Sequence, residues 1–269
     1  MKLCVIIQAR MSSTRLPGKV MMSLGGQPVL ARMIERVTSA HTPFDLVVAT
    51  TTDPADEPIV SLCRDLKVEC YRGHPTDLVE RHWHAARMVE ADALVKIPSD
   101  CPLIDPGVLD RVLGFWNAFE GHYDYVSNLH PATYPDGNDV EVLTMEALAI
   151  VRREARQDFE REHLTPYVWE NPFRFRIGNI TWERGLNFSR RYRWTLDYAE
   201  DMDLITHIFE TLQMRTGPLF SLDDIVQLLQ NHPELERINS RYRGVNWYRK
   251  HIGQLHTVGH SDTAMEPIE

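Results

Sequence analysis

Short apolar runs alternate with segments of helical period over the first 120 residues, and this rhythm limits the fold more than any other feature of the chain. Along the helical segments apolar residues return to one face, as they do from Val29 to Val37 and from Leu78 to Ala86. The apolar runs are bounded by turn residues, as is typical of buried strands. They span residues 3–7, 46–49, 68–71, 93–97 and 125–126. The alternation predicts an α/β fold with a mainly parallel central sheet joined by right-handed crossovers.

The regular alternation ends near residue 130. A stretch rich in Pro, Gly and Asp covers residues 130–138, and two strand-like runs follow outside the pattern, at 139–143 and 173–182. We interpret residues 130–193 as an inserted acceptor-binding or dimerisation element.

The last third of the chain returns to helical period. Apolar stripes predict helices at 199–212 and 222–229. Beyond about residue 253 the chain is polar and without periodicity, which predicts a frayed tail over 253–269. Residues 1–252 are therefore expected to form one domain.

Composition narrows the class of protein. The chain has 269 residues, 43% hydrophobic and 25% charged, so it can bury a substantial core. Its four cysteines include no Cys-x-x-Cys pair, which argues against a disulfide framework and a structural zinc site. A formal net charge of −9 argues against general nucleic-acid binding, and no apolar run approaches the length of a membrane span. We expect a cytoplasmic protein with small anionic ligands and neither nucleic-acid nor membrane partners.

A turn bearing three cations, Arg10, Arg15 and Lys19, follows the first predicted strand. Over residues 1–40 six cations face one acid, Glu35, a balance of 6 − 1 = +5 in an acidic chain. Guanidinium forks, an ammonium and backbone N–H groups are the donors that a polyphosphate requires. The spacing is not that of a P-loop. A polyphosphate site is favoured over the alternative, an ordinary solvated basic turn.

Acids follow two later segments. Asp100 comes just after the predicted strand at 93–97, and Asp197 lies between an apolar stretch and a helix start. Mg²⁺ takes one or two carboxylates and completes its shell with phosphate oxygens and water, so each is a candidate half-site. Helix or turn capping is the competing interpretation for both. Asp105 before Pro106 is better explained as a helix N-cap.

The sequence resembles the cytidylyltransferase family, and most of all its branch named for spore-coat polysaccharide biosynthesis, which is related to acylneuraminate and Kdo cytidylyltransferases. The similarity extends over roughly residues 3–212, and the segment Gln-Ala-Arg-Met-Ser-Ser-Thr-Arg-Leu-Pro-Gly-Lys is its specific part. The other blocks that carry it are 49–53, 72–73, 99–105 and 196–201.

This resemblance implies a Rossmann-like (GT-A-like) nucleotidyltransferase, a three-layer sandwich that binds CTP and forms a homodimer. It implies that Arg10, Arg15 and Lys19 bind the phosphates and that Asp100 and Asp197 bind Mg²⁺; these five are the candidate catalytic residues. The remaining candidate nucleotide-binding residues are Ala9, Ser12, Thr51, Asp53, Arg72, Gly73, Asp77 and Ser99.

The expected reaction is transfer of CMP from CTP to an acidic sugar or related small acceptor of surface polysaccharide or glycan biosynthesis, with release of pyrophosphate. Arg161 and Arg193 are the preferred anchors for an acceptor carboxylate. Surface pairing or a subunit contact is an equal alternative for the acceptor set. That set is Tyr134, Asp136, Glu141, Arg161, Glu162, His163 and Arg193.

Two other functions compete. A glycosyltransferase that consumes a nucleotide sugar would use a similar pocket, and a non-catalytic regulator would bind nucleotide without an acceptor. Pyrophosphate release from CTP separates both from a cytidylyltransferase.

Overall fold

Strands and helices alternate around one large sheet in the computed structural model, which describes residues 1–265. The predicted α/β fold class and each predicted strand and helix of the first 120 residues are confirmed. The strands are β1 (Leu3–Gln8), β2 (Ser23–Leu24), β3 (Gln27–Pro28), β4 (Asp45–Thr51), β5 (Glu69–Gly73), β6 (Ala93–Pro98), β7 (Tyr125–Ser127), β8 (Glu141–Thr144) and β9 (Ile177–Asn179). The helices are α1 (Val29–Thr38), α2 (Glu57–Leu66), α3 (Leu78–Met88), α4 (Pro106–Ala118), α5 (Met145–Glu154), α6 (Asp158–His163), α7 (Pro166–Trp169), α8 (Ala199–Thr216) and α9 (Leu222–Asn231).

The seven-stranded sheet has the order β5-β4-β1-β6-β8-β7-β9, and β2 and β3 form a separate hairpin. The pairs β5/β4, β4/β1, β1/β6 and β7/β9 are parallel, whereas β8 runs antiparallel to both β6 and β7. Chain order moves outward from β1 to β5 and then returns to the other side of β1 at β6. The β1/β6 pair is thus a switch point of the topology, where open parallel sheets bind ligands beyond the carboxyl ends of the strands.

Alternate residues of the central strands face opposite layers. Val5 and Ile7 of β1 lie in the core that contains apolar residues of α1, α2 and α4, whereas Cys4 and Ile6 lie with residues of α3 and α5. The predicted three-layer sandwich is therefore confirmed. A further core joins α8 and α9 to the loop after β6 through residues such as Leu103.

Two of the six cations near the amino terminus are structural. Arg36 is fully buried and donates to the carbonyl oxygens of Ile104, Pro218 and Phe220 at 2.7–2.8 Å. Arg32 donates to two carbonyls of the β2–β3 hairpin and pairs with Glu35. A third, Lys2, pairs with Asp45 at 3.1 Å. The three cations of the basic turn make up the rest of the six.

Residues 130–193, which the sequence predicts to be an inserted element, contribute β8 between β6 and β7 and β9 at the edge of the sheet. The predicted strands of this element are shorter than expected: β8 begins at Glu141, and β9 covers three residues of the run at 173–182. The homodimer implied by the resemblance stays a prediction.

The segment after residue 253 differs from the frayed tail expected from its polarity. Leu255 is buried in the core of α5–α7, and Glu170 accepts hydrogen bonds from the backbone N–H groups of His256 and Thr257. Arg190 also donates to the carbonyl of Ser261, and Thr263 donates to that of Gly244, so tertiary contacts anchor a segment that lacks helical period. The rest of the predicted tail, residues 266–269, lies outside the described residues. Among the helices of residues 1–265, none has the length and apolar character needed to cross a membrane.

Candidate active site

Local hydrogen bonds fix the conformation of the basic turn after β1. Gly18 adopts a φ of +72°, a conformation that costs glycine nothing, and its N–H donates to the carbonyl of Met11 at 2.9 Å. The Met11 N–H in turn donates to Asp56 at 2.7 Å. These hydrogen bonds fold the turn back over the end of β1, and the side chain of Lys19, a residue that is 8% exposed, lies inside the molecule.

Lys19, Asp100 and Asp197 meet at the switch point. The Lys19 Nζ lies 3.1 Å from Asp197 Oδ1, 3.8 Å from Asp100 Oδ2 and 2.5 Å from the carbonyl oxygen of Leu196. Arg15 Nη2 lies 2.5 Å from the same Oδ1 of Asp197. The structure therefore brings together residues that are far apart in the chain: Lys19 and Leu196 are separated by 177 positions. Their catalytic and metal-binding roles stay predictions.

Asp197 is placed by its own neighbours. The N–H of Leu196 donates to the carbonyl of Asp100 at 2.7 Å, which docks this segment on the loop after β6. The N–H of Asp197 donates to Asp201 at 2.9 Å, so Asp201, not Asp197, caps the start of α8. The carboxylate of Asp197 is thus left for the cations. Burial raises its pKa, but Lys19, Arg15 and Arg193 outweigh burial and lower the pKa to about 2.

The two acids fit a nucleotide-bound magnesium ion. Carboxylate oxygens are the hard donors that Mg²⁺ prefers, and the Lys19 ammonium already lies between Asp100 and Asp197 as a cation that both can stabilise. Asp100 has a side chain that is 29% exposed and faces the cleft. Within residues 1–265 no three His, Cys, Asp or Glu side chains form a metal site. A magnesium ion at this position would therefore need phosphate oxygens of the substrate and water to complete its coordination shell.

Asp105 performs the structural role predicted for it. Its carboxylate accepts from the N–H groups of Gly107 and Val108 at the start of α4, where Pro106 is the first helical residue. It also accepts from the N–H of Leu222 at the start of α9.

A cleft of about 980 Å³ extends from the basic turn across the β6–β8 side of the sheet. Of the nucleotide candidates, Ala9, Arg10, Arg15, Lys19, Ser99, Asp100 and Asp197 line it. Ser12 is exposed and does not line it.

Four further nucleotide-binding candidates, at the ends of β4 and β5, lie outside the cleft, and three of them make hydrogen bonds within the protein. Thr51 donates to Asp56, Asp53 caps a short 3-10 turn, and Arg72 donates to the carbonyls of Thr51 and Asp53. Gly73 ends β5. Among the described residues, none of these four lines the cleft.

Asp77 and Arg161 form one structural pair. Asp77 caps α3 and lies 2.6 Å from Arg161, which also approaches Glu80 at 3.6 Å. Neither lines the cleft. The expectation that Arg161 anchors an acceptor carboxylate is therefore corrected, because acids of α3 already occupy its guanidinium.

Arg193 lines the cleft but is enclosed by acids. It is 3% exposed and lies 3.2 Å from Asp136, 3.2 Å from Asp197 and 3.1 Å from Asp201. A guanidinium with three carboxylate partners has no fork left for a ligand, so Arg193 is corrected from an acceptor anchor to a residue that positions the acids. Burial raises the pKa of Asp136 to about 7. Arg193 lowers this pKa, whereas the charges of Asp197 and Asp100 raise it.

The other acceptor candidates line the cleft beyond Asp100: Tyr134, Glu141, Glu162 and His163. Glu141 is 4% exposed, accepts from Lys96 Nζ at 2.6 Å and from the Tyr125 hydroxyl at 2.6 Å. Burial raises the pKa of Glu141, but the charge of Lys96 and hydrogen bonds from Lys96, Thr165 and Tyr125 together outweigh burial. The net pKa is lowered, so these partners keep the carboxylate ionised.

Sequence reasoning missed the far wall of the cleft. Residues 244–251 line it, and the ring of Trp247 stacks on His163 with centroids 3.9 Å apart. Arg249 and Lys250 bring positive charge to the same wall. The cluster Trp-Tyr-Arg-Lys at 247–250, with its adjacent aromatic and basic side chains, was the signal available in the sequence.

His163 makes a pH dependence expected. Burial, followed by the charges of Lys96 and His251, lowers its pKa to about 3, against roughly 6.5 for an unfolded histidine. Between these values the unfolded chain binds the additional proton, so this group makes stability fall as pH falls through that range. His163→Phe keeps a ring against Trp247 and removes the titration. Urea unfolding from pH 7 to pH 4 should show a shallower loss of stability in this variant.

His207→Phe, at an exposed position of α8, is the matched control and should keep the slope of the unchanged protein. Equal slopes for His163→Phe and the unchanged protein would show that His163 is protonated equally in both states.

Comparisons with known proteins assign the class. The solved structure of a cytidylyltransferase from Leptospira borgpetersenii serovar Hardjo-bovis matches with a TM-score of 0.83 and 31% identity, over 88% of this chain and 97% of that one. The fold is that of nucleotidyltransferases. The family model described as cytidylyltransferase matches residues 4–239, and the chain belongs to this family.

Two curated relatives are similar to most of the chain. An uncharacterized protein of Methanocaldococcus jannaschii is 31% identical over 245 residues, which is 90% of this chain and 96% of that protein. The spore coat polysaccharide biosynthesis protein SpsF of Bacillus subtilis is 29% identical over 234 residues, 85% of this chain and 94% of its own length. The resemblance stated from the sequence is confirmed.

Proposed function

We propose that this cytidylyltransferase transfers CMP from CTP to a hydroxyl group of a small anionic sugar and releases pyrophosphate. The observation that carries the proposal is the position of the Lys19 ammonium between Asp100 and Asp197 at the β1/β6 switch point. Because the Bacillus relative is named for spore coat polysaccharide biosynthesis, we propose that the product is a precursor of a surface glycan.

The basic turn would bind the triphosphate. Arg10 has one partner, Glu162 at 3.9 Å, and lines the cleft. Arg15 and Lys19 are held at Asp197. Their donors would neutralise the β- and γ-phosphates and the charge that develops on the departing pyrophosphate.

The acceptor would approach from the β8 side of the cleft. The hydroxyl oxygen of the acceptor loses its proton to water and forms a bond to the α-phosphorus as the bond from that phosphorus to the bridging oxygen breaks, and pyrophosphate leaves with the electron pair. A magnesium ion at Asp100 and Asp197 would supply charge neutralisation at the α-phosphate. The protein contributes alignment of the two reactants, which by itself lowers the barrier substantially.

An anionic acceptor needs a cation other than the two arginines expected from the sequence. Arg161 lies outside the cleft and Arg193 is enclosed by three acids. Arg249 and Lys250 line the far wall, and we propose them as the anchors. Trp247 would support the sugar ring beside them.

A pyrophosphate-release screen tests the proposal. The four nucleoside triphosphates are crossed with sugar acids, neutral sugars and amino sugars in the presence of Mg²⁺. Release should require CTP, Mg²⁺ and one acceptor together, with a CMP-linked product by mass spectrometry. Absence of release from any combination, or formation of a nucleoside diphosphate from a nucleotide sugar, would overturn it.

A further inference from the structure

Arg81 of α3 is a buried cation for which the described residues provide no side-chain hydrogen bond or ion pair. It is 2% exposed, and its Nε and Nη1 atoms are buried and donate no hydrogen bond to any described residue. It lines the cleft. Leaving a buried guanidinium unpaired is costly, which makes the site one that a ligand completes.

Arg36 shows how the same fold treats a buried arginine that is purely structural. Arg36 is 0% exposed, and carbonyl oxygens satisfy its guanidinium on every side. The two arginines are thus similarly buried, but the hydrogen-bond donors of Arg36 are satisfied within the protein and those of Arg81 are not. Arg81 remains a cation at neutral pH: burial and the nearby Arg10 lower its pKa and the charges of Asp56 and Asp77 oppose them, so the pKa is about 10.

The place of Arg81 in the sheet indicates which part of a nucleotide it meets. The proposed reaction centre lies at the β1/β6 pair, and the proposed acceptor wall covers the β8 side. The opposite side, over β4 and β5, is left for the nucleoside. Arg81 lies there, with its Cγ 3.2 Å from where a Cβ on Gly73 would stand. The absence of a side chain at Gly73 leaves room for the arginine at the end of β5.

Gln8 adds a second unpartnered polar group at the end of β1. Its Oε1 is buried and accepts no hydrogen bond from the described residues, and the side chain lines the same cleft. The guanidinium of Arg81 can only donate hydrogen bonds, and the amide oxygen of Gln8 accepts them. The two groups therefore suit a base that has ring acceptors for the guanidinium and an amino group for the amide oxygen.

We propose that Arg81 and Gln8 read the cytosine ring: Arg81 donates to the adjacent acceptors O2 and N3, and the Gln8 oxygen accepts from the exocyclic amino group. Uracil carries a hydrogen on N3, which would oppose an N–H of Arg81 and leave it unsatisfied. The chemical class selected is therefore a 4-aminopyrimidine nucleotide. This assignment rests on the proposed function, because it takes CTP as the donor.

Calorimetric binding of CTP, UTP and inorganic tripolyphosphate, with Mg²⁺ and without acceptor, tests the assignment. The unchanged protein should prefer CTP to UTP. Arg81→Lys and Arg81→Met should weaken CTP binding about tenfold to hundredfold, the value of a lost charged hydrogen bond, and change UTP and tripolyphosphate binding little. Gln8→Leu should reduce the same preference by a smaller factor.

Thermal unfolding of the ligand-free protein separates this role from a structural one. Arg81→Met should leave the unfolding temperature unchanged or raise it, since an unpaired buried charge is removed. Arg36→Met, the matched control, should lower it because several carbonyl groups lose their donor.

Three results are distinguishable. Equal losses for CTP, UTP and tripolyphosphate in the Arg81 variants would make Arg81 a phosphate ligand and overturn the assignment. Undiminished CTP preference in Arg81→Met would also overturn it. Failure of the unchanged protein to bind any nucleoside triphosphate would instead refute the proposed function.

Discussion

Asp197→Asn is expected to lower kcat for CMP transfer by about 10²- to 10³-fold, the usual effect of removing one electrostatic contact to a reacting phosphate. A single oxygen of Asp197 receives both Arg15 at 2.5 Å and Lys19 at 3.1 Å. Asparagine has nearly the same volume but no charge, so the cations would lose their counter-ion and the proposed metal one of its two carboxylates. Pyrophosphate release at saturating CTP, Mg²⁺ and the acceptor found by the screen measures the effect.

Asp203→Asn is the matched control for this substitution. Asp203 is an exposed residue of α8, close to Asp197 in sequence but directed to solvent. Its variant should keep the rate of the unchanged protein. If Asp197→Asn kept kcat within about threefold of that rate, the carboxylate would have no part in the transition state.

Arg193→Met is expected to lower the free energy of unfolding by about 3–5 kcal/mol, the range for breaking one side of a buried ion pair. The arginine lies between Asp136, Asp197 and Asp201, and Asp201 is 0% exposed. Methionine fills much of the volume but leaves these acids facing each other. Urea denaturation measures the loss, and the deficit should shrink in acid, where protonation removes the unpaired charges.

Arg176→Met provides the comparison with a surface pair. Arg176 lies 2.6 Å from Asp124 with 59% of its side chain exposed, so its loss should cost less than about 1 kcal/mol. A loss for Arg193→Met no larger than that for Arg176→Met would contradict the view of Arg193 as the residue that holds the acids.

The predicted meeting of Asp100 with the basic turn followed from a rule about sheets. Both segments follow parallel strands, and the carboxyl ends of parallel strands lie at one edge. Asp197 follows no strand of the sheet, so this rule did not predict where its carboxylate lies. Hydrogen bonds from Thr195 and Leu196 to the carbonyl of Asp100 place it there.

Partner choice among the charged residues could not be predicted. Arg161 and Arg193 were both suitable for a carboxylate, yet each is occupied by acids of the protein itself, 84 residues away in the case of Asp77. Likewise Arg36 and Arg81 both lie on helices among apolar residues, and only their surroundings show that one is satisfied and the other is not.

The amino-acid sequence by itself determined the α/β class, those helices and strands of the first 120 residues that were predicted, the cap at Asp105 and the place of the basic turn, because these depend on periodicity and on neighbours a few residues apart. The helix α2 and the β2–β3 hairpin were not predicted. Tertiary structure alone decided which charges neutralise one another, that residues 244–251 wall the cleft, and that Arg81 lies buried with no side-chain hydrogen bond or ion pair from the described residues. These outcomes depend on distances between segments far apart in the chain, and small differences in distance and burial decide whether a charged group pairs internally or remains for a ligand.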